Sequence, residues 1–274
     1  MELPNFKLCG PTKRPDMIGP STMKIARSCF RVTKAPELSA FYRTIMGMDQ
    51  FESQRGLAFG YDLRQCLLEL HQGDFTPYNA TNLDLYWKIG ITVRELDRAI
   101  AHLQHESWPV TEPRQFRDIG YLCHLRDPQG LTIELLQQGF EGKAKTARAG
   151  HPIGAQATLA HLTLRVADLA AAQSYCEDRL GMRLMSVQRV PDCGFTLYFY
   201  GWSDEPLPNP DLEAIENREW LWARPYTLLE LQHLESLRAV AVPSETAAGF
   251  AGWAHEDGDG NLTYMSGPEL TAFR

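Results

Sequence analysis

The chain repeats itself at an offset of 134 residues without a gap: Arg31-Val32, Phe41-Tyr42 and Gly47-Met48 recur as Arg165-Val166, Tyr175-Cys176 and Gly181-Met182. A repeat of this kind means that one supersecondary unit is used at least twice, and that the copies bury their apolar faces against one another. Positions at which the copies differ then carry information. Arg27 in the first copy stands where the second has His161, so a permanently charged donor in one faces a potential metal ligand in the other.

Each copy opens on a strand-like stretch, IARSCFRV or LAHLTLRV. Alternation places Arg27, Cys29 and Arg31 on one face of the first strand, and His161, Thr163 and Arg165 on the matching face of the second. A helical stretch follows, with apolar residues at three- and four-residue steps and a glycine, Gly47 or Gly181, as its stop. Further strands close each unit: GLAFGYD and CLLELHQ in the first, MRLMSVQRV, FTLYFYGW and YTLLELQH in the second. A weaker echo starts at Lys88, reads strand, helix, strand, and ends in a hairpin turned by Asp127-Pro128-Gln129-Gly130. Another hairpin, turned by Asp257-Gly258-Asp259-Gly260, closes the chain. The expected architecture is α+β: four βαβββ modules over 23–75, 84–140, 157–235 and 237–274, the last shortened, forming curled mixed β-sheets with helices outside. An N-terminal arm over 1–22, a first paired-module domain over 23–140, a linker over 141–156 and a second domain over 157–274 divide the chain. The segment over 203–220 is rich in proline and acid, and reads as a surface loop with a short helix at DLEAIENREW.

Composition narrows the function. A net charge of −7 argues against nucleic acid and anionic membrane surfaces as partners, which leaves a small molecule. The six cysteines are scattered, with no paired motif, which fits a reducing cytoplasmic setting. No stretch has the length of a signal core or a membrane span.

The chemistry is expected on the inward faces of the strands. Glu69 in CLLELHQ, Glu134 in LTIELLQQ and Glu230 in TLLELQH are carboxylates in otherwise apolar strands. Such a group is costly to bury unless it meets a metal, a cation or a proton. His161 sits on the first strand of the third module, where a curled sheet makes side chains converge. His71, His102, His105, His124 and His151 read as surface or hairpin residues, and His233 falls on the opposite face from Glu230. Trp87, Tyr198, Trp220 and Trp222 read as core, or as the wall of a cleft for an apolar ligand.

The third module, from HLTLRVADLAAAQSYCEDRLGM to TLLELQH with its acidic insertion, resembles the first half of glyoxalase I in the vicinal oxygen chelate superfamily. IGITVRELDRAIAHLQ and the DPQGLTIELL hairpin are similar to that family's second half. The resemblance implies one divalent ion, Zn, Ni, Co, Mn or Fe(II), held by His161, Glu230 and Glu134, with Glu134 and Glu230 as the catalytic carboxylates. It implies a substrate contact from Arg165, beside which Lys88 and Trp222 are candidate substrate-binding residues, and a homodimer is a possible assembly. Two departures stand out: Lys88 takes the position of a family histidine, and Leu234 that of an asparagine. A protonated lysine offers a metal no lone pair.

Pairing of module two with module three would bring His161, Glu230, Glu134 and Lys88 together. The other pseudo-site would then hold Arg27, Glu69, Tyr264 and Gly252, and is expected to be metal-free with an Arg27–Glu69 ion pair. Under a different pairing, His161, Glu230 and Tyr264 would share the concavity instead. The leading expectation is a metal-dependent glyoxalase I-like lyase acting on a small substrate with adjacent oxygens. The alternative is a metal-free small-molecule binding protein, with Lys88 filling the metal corner. An extradiol-type dioxygenase ranks third, because such enzymes prefer two histidines and one glutamate.

Overall fold

The computed structural model describes residues 23–273, so the arm expected over 1–22 lies outside the described residues. In chain order the strands and helices are β1 (Lys24–Val32), α1 (Ala35–Ala40), β2 (Asp49–Glu52), β3 (Leu57–Gly60), β4 (Leu67–Gln72), β5 (Tyr86–Val93), α2 (Leu96–His105), β6 (Arg114–Phe116), β7 (Gly120–Arg126) and β8 (Thr132–Gln137). The second half contributes β9 (Thr158–Val166), α3 (Leu169–Ser174), β10 (Arg183–Val190), β11 (Phe195–Gly201), α4 (Glu216–Trp222), β12 (Leu228–Leu234), β13 (Gly249–Glu256) and β14 (Leu262–Met265).

The repeat is visible down to its irregularities. Both α1 and α3 run on into a single wider, π-helical turn, Phe41–Ile45 and Tyr175–Arg179, and leave it through Gly47 and Gly181 at φ values of 64° and 63°. On α2, Leu96, Ala99, Ile100 and Leu103 fall on one stripe, and all four are buried.

Two mixed sheets result, and each takes strands from both halves of the chain. The first has the order β14-β13-β1-β4-β3-β2 and the second β10-β11-β12-β9-β5-β8-β7-β6. Module two therefore joins module three, through the antiparallel pair β5 and β9, and the shortened fourth module joins module one, through β13 and β1. With β9 central in the larger sheet, all nine of its residues are buried. Phe30, Tyr86 and Phe250 form a common aromatic core, with ring centroids 5.2–5.8 Å apart.

The hairpin turn between β7 and β8 locks the larger sheet onto the first module. Gln129 accepts the Thr33 amide at 2.9 Å and donates to Arg31 O at 3.0 Å, while the Tyr42 hydroxyl donates to Asp127 Oδ2 at 2.8 Å. Oδ1 of Asp127 accepts the amides of Gln129 and Leu131. Asp257 makes the same contacts in the other hairpin, but near the surface, and its bonds from Asn261 hold it below its ordinary value. Burial outweighs the equivalent bonds at Asp127 and pushes its carboxyl up to about 6.

A carboxyl whose folded-state pKa is raised contributes stability that is complete below the unfolded value and is lost as pH rises through the folded one. A gap of about two pH units at about 1.4 kcal/mol each amounts to about 3 kcal/mol. In Asp127→Asn, which keeps the acceptor oxygen for the two amides, that loss between about pH 4 and pH 7 should vanish. Denaturant unfolding across this range checks it, and parallel curves for parent and variant would refute the assignment.

Candidate functional site

The larger sheet curls around a pocket of about 230 Å³. Strand alternation supplies its walls: Phe195, Leu197 and Phe199 of β11 point inward, with Leu122 of β7 and Leu136 of β8. Tyr198, one residue out of phase, packs into the main core on the other side of the sheet. Of the four aromatic residues expected to line such a cleft, Trp87 and Trp222 do so, and Tyr198 and Trp220 do not.

The acidic insertion does more than decorate the surface. Its helix α4 begins five residues later than the expected DLEAIENREW helix, because Asn217 ties the preceding loop into a knot. The Asn217 side chain donates to Asn209 O and Asp211 O and accepts the Asn209 amide. This packs Leu221 and Trp222 against the inner face of the sheet, where the Trp222 indole donates to Ile119 O at 2.9 Å and lies 5.7 Å from the His161 ring.

At the floor of the pocket four ionisable side chains converge. Lys88 Nζ donates to Glu134 Oε1 at 2.7 Å and lies 3.3 Å from both Glu230 Oε2 and His161 Nε2. His161 Nε2 in turn lies 3.3 Å from Glu134 Oε1 and 3.2 Å from Glu230 Oε2. The Thr163 hydroxyl donates to Glu230 Oε2 at 2.8 Å. All of these are buried, Lys88 at 3% exposed and Glu134 at 5%.

Backbone register makes the convergence possible. Lys88 pairs with Thr163 across β5 and β9, Glu230 with Thr163 across β12 and β9, and Glu134 with Gly90 across β8 and β5. Gly90 faces His161, and a β-carbon there would occupy the space of the imidazole. The glycine inside an apolar strand is thus explained by the histidine opposite it. All these strands belong to one chain, so no second copy is needed to complete the site.

The electrostatics follow from the packing. Burial works against the Lys88 ammonium, but the charges of Glu134 and Glu230 outweigh it and hold its pKa above the ordinary lysine value. Burial likewise pushes Glu134 up, and the Lys88 charge with the His124 and His161 contacts more than reverses it, leaving the carboxyl well below its usual range. The floor thus pairs the Lys88 ammonium with an ionised Glu134, with Glu230 on the other side of Nζ. Glu230 Oε1 and His161 Nδ1 have no hydrogen-bond partner among the described residues.

The structure therefore brings His161, Glu230, Glu134 and Lys88 into one cluster, with Trp222 on its wall. Arg165 lies apart. It donates to Asp84 O at 3.1 Å, stands over the Trp87 ring, and lines a broader adjoining groove with Trp87, His124 and Arg126. His124, read from sequence as a hairpin residue, belongs to the site: its Nε2 lies 3.1 Å from Glu134 Oε2, and it lines the pocket. The signal for it was the hairpin itself, which sets His124 directly across from Glu134.

Does this donor set fit a divalent ion? A metal needs lone pairs around an open centre, and here the centre holds an ammonium that offers only protons. Two cations cannot share the space between Glu134, Glu230 and His161. With Lys88 in place the residues do not fit a metal, and the expected ligand set is turned into an ion-pair network.

The architecture is the vicinal oxygen chelate fold. Glyoxalase I of Zea mays has the same fold, with a TM-score of 0.57 at 18% identity over 85% of this chain and 74% of that one, and a point mutant of that enzyme scores 0.58. In sequence, the chain is 23% identical over 190 residues to a lactoylglutathione lyase of Arabidopsis thaliana. That match spans 64% of this chain and 61% of the relative's length. No protein-family model matches the chain. Among the described residues no helix is long and apolar enough to cross a membrane.

Proposed function

We propose that this protein is a glyoxalase-like isomerising enzyme for a small substrate with adjacent oxygens, in which the Lys88 ammonium takes the role of the electrophile. One observation carries this reading: Lys88 Nζ sits between Glu134, Glu230 and His161 at the floor of an apolar pocket. An ammonium in a desolvated site lowers the energy of an enediolate by hydrogen bonding to its oxygens. Glu134, kept ionised by the same ammonium, accepts the proton from the carbon beside the carbonyl and returns it to the neighbouring carbon. The electron pair of the broken C–H bond moves into the enediolate and back into the new C–H bond, so no redox partner is required. A hemithioacetal becomes an α-hydroxy thioester by this route. Glu230, held by Thr163, faces Lys88 as a second carboxyl group and positions it.

The reading of a metal-dependent lyase gives way here to a metal-free one, since Lys88 fills the coordination centre; an oxygenase would need that centre open as well. Five unpaired cysteines among the described residues support a reducing compartment for the protein. The competing reading is a binding protein without chemistry, favoured by the saturation of Glu134 by Lys88. Exhaustively chelated protein incubated with hemithioacetals in deuterated water separates them. Thioester formation in chelator is the expected result, with solvent deuterium entering the product carbon only to the extent that Glu134 exchanges its proton before returning it. Turnover that appears only on adding a divalent ion would refute the role of Lys88, and substrate binding without turnover would establish the binding protein.

A further inference from the structure

The smaller sheet holds the counterpart of this site, and its chemistry differs at each corner. His161, Thr163, Glu230 and Gln232 correspond to Arg27, Cys29, Glu69 and His71, and Lys88 to Gly252; matching registers of β1, β4 and β13 with β9, β12 and β5 fix these equivalences, and counting from the Asp127 and Asp257 hairpin turns sets Tyr264 in the place of Glu134. The decisive exchange is lysine for glycine. Gly252 has no side chain, so the smaller sheet has no ammonium at its centre, yet Glu69 is as fully buried as Glu230.

The two oxygens of Glu69 face different company. Oε2 accepts the Ser53 hydroxyl at 2.6 Å and the Tyr264 hydroxyl at 3.4 Å, with Arg27 Nε at 3.6 Å. The expected Arg27–Glu69 contact is present, but Nε makes no hydrogen bond within the described residues. Oε1 faces His71 Nε2 at 2.7 Å and Cys29 Sγ at 3.8 Å. These three ligand atoms lie within 4.8 Å of one another, which is the spacing of donors around one ion. One carboxylate oxygen thus faces the two other candidate ligands, His71 and Cys29, while the other is held in place by hydroxyls, the usual division between ligation and outer support.

We infer that Cys29, Glu69 and His71 form a binding site for a thiophilic divalent cation of the zinc or cobalt class. Thiolate, imidazole and carboxylate together select such ions over magnesium or calcium, and with three protein ligands a tetrahedral ion keeps one position for water. His71, a quarter exposed, gives the ion its path in. Cys29 gives up its proton to solvent as the ion binds, so affinity rises with pH. Reading only the positions aligned with the other site missed this set, because Cys29 and His71 lie where that site has Thr163 and Gln232.

The test is cobalt titration of the full-length protein stripped of metal. One Co²⁺ per chain is expected, with a thiolate-to-cobalt charge-transfer band in the near ultraviolet. His71→Ala should weaken binding by about a hundredfold, and Ser53→Ala, which removes outer support, by about tenfold. Cys29→Ser should abolish the charge-transfer band, whereas Cys66→Ser, Cys193→Ser and His161→Ala should leave it intact. If Cys29→Ser does not fold, the His71→Ala result decides alone. Absence of the band from the parent protein, or its persistence at full strength in His71→Ala, would overturn the assignment. None of these readouts depends on the reaction at Lys88.

Discussion

Lys88→Ala is expected to lose about 3–5 kcal/mol of stability in chelator, and to regain much of it on addition of a divalent ion. Removing one partner of a buried ion pair leaves the other charge uncompensated, and here two carboxylates lose their shared cation at once. Glu134 and Glu230 would keep only His161 and the outer contacts of His124 on Glu134 Oε2 and Thr163 on Glu230 Oε2. The same truncation opens a centre bounded by one imidazole and two carboxylates, a donor set suited to zinc, nickel, cobalt or manganese. An ion present at a hundredfold excess over its dissociation constant contributes about 2.7 kcal/mol to the folded state. Unfolding in chelator and in graded ion concentrations, on the parent, on Lys88→Ala and on Lys88→Ala with His161→Ala, measures both parts. The rescue must exceed any stabilisation of the parent and must vanish with His161. A variant as stable as the parent in chelator would show that the ammonium is not what holds the two carboxylates in the fold.

The sequence carried the modules and the site's chemistry further than it carried the site's walls. A gap-free repeat fixes the order of strands within each copy, and carboxylates in apolar strands stand out because their burial is costly. Lys88 at a family ligand position was likewise readable, since a charge type is a property of one residue. What joins residues across strands is register, and register depends on pairs far apart in the chain. His124 entered the site through its partner across the hairpin, Tyr198 left it by one step of alternation, and Trp222 reached it because Asn217 reshaped the insertion. Arg165 was found on the expected face of β9, but Asp84 and Trp87 hold it in the adjoining groove rather than over the floor.

Glu134→Gln should lower isomerising turnover by on the order of 10² to 10⁴ while the chain stays folded. The amide keeps the size of the side chain and an oxygen for Lys88 Nζ, and Lys88 retains Glu230 as a counter-charge. What is lost is the only function that an amide cannot supply, which is to take up the substrate proton. Glu230→Gln is the comparison. Its carboxylate bonds Thr163 and faces Lys88, so it acts by positioning, and its replacement should affect turnover less while raising the pH-sensitivity of the alkaline limb. The pH profile of the parent follows from the two shifted groups. Turnover needs Glu134 ionised and Lys88 protonated. Because Lys88 holds Glu134 well below the usual carboxylate range, the acid limb should lie below the ordinary glutamate value. Because the two carboxylates hold Lys88 above the usual lysine value, the alkaline limb should lie beyond it. Activity is therefore expected to be flat across the whole neutral range for a substrate that does not itself titrate. A bell centred near neutrality would instead assign proton transfer to a histidine, with His124 and His161 the residues in reach of Glu134. In that event Glu134→Gln would retain most of the parent's rate, and the two measurements together identify the base.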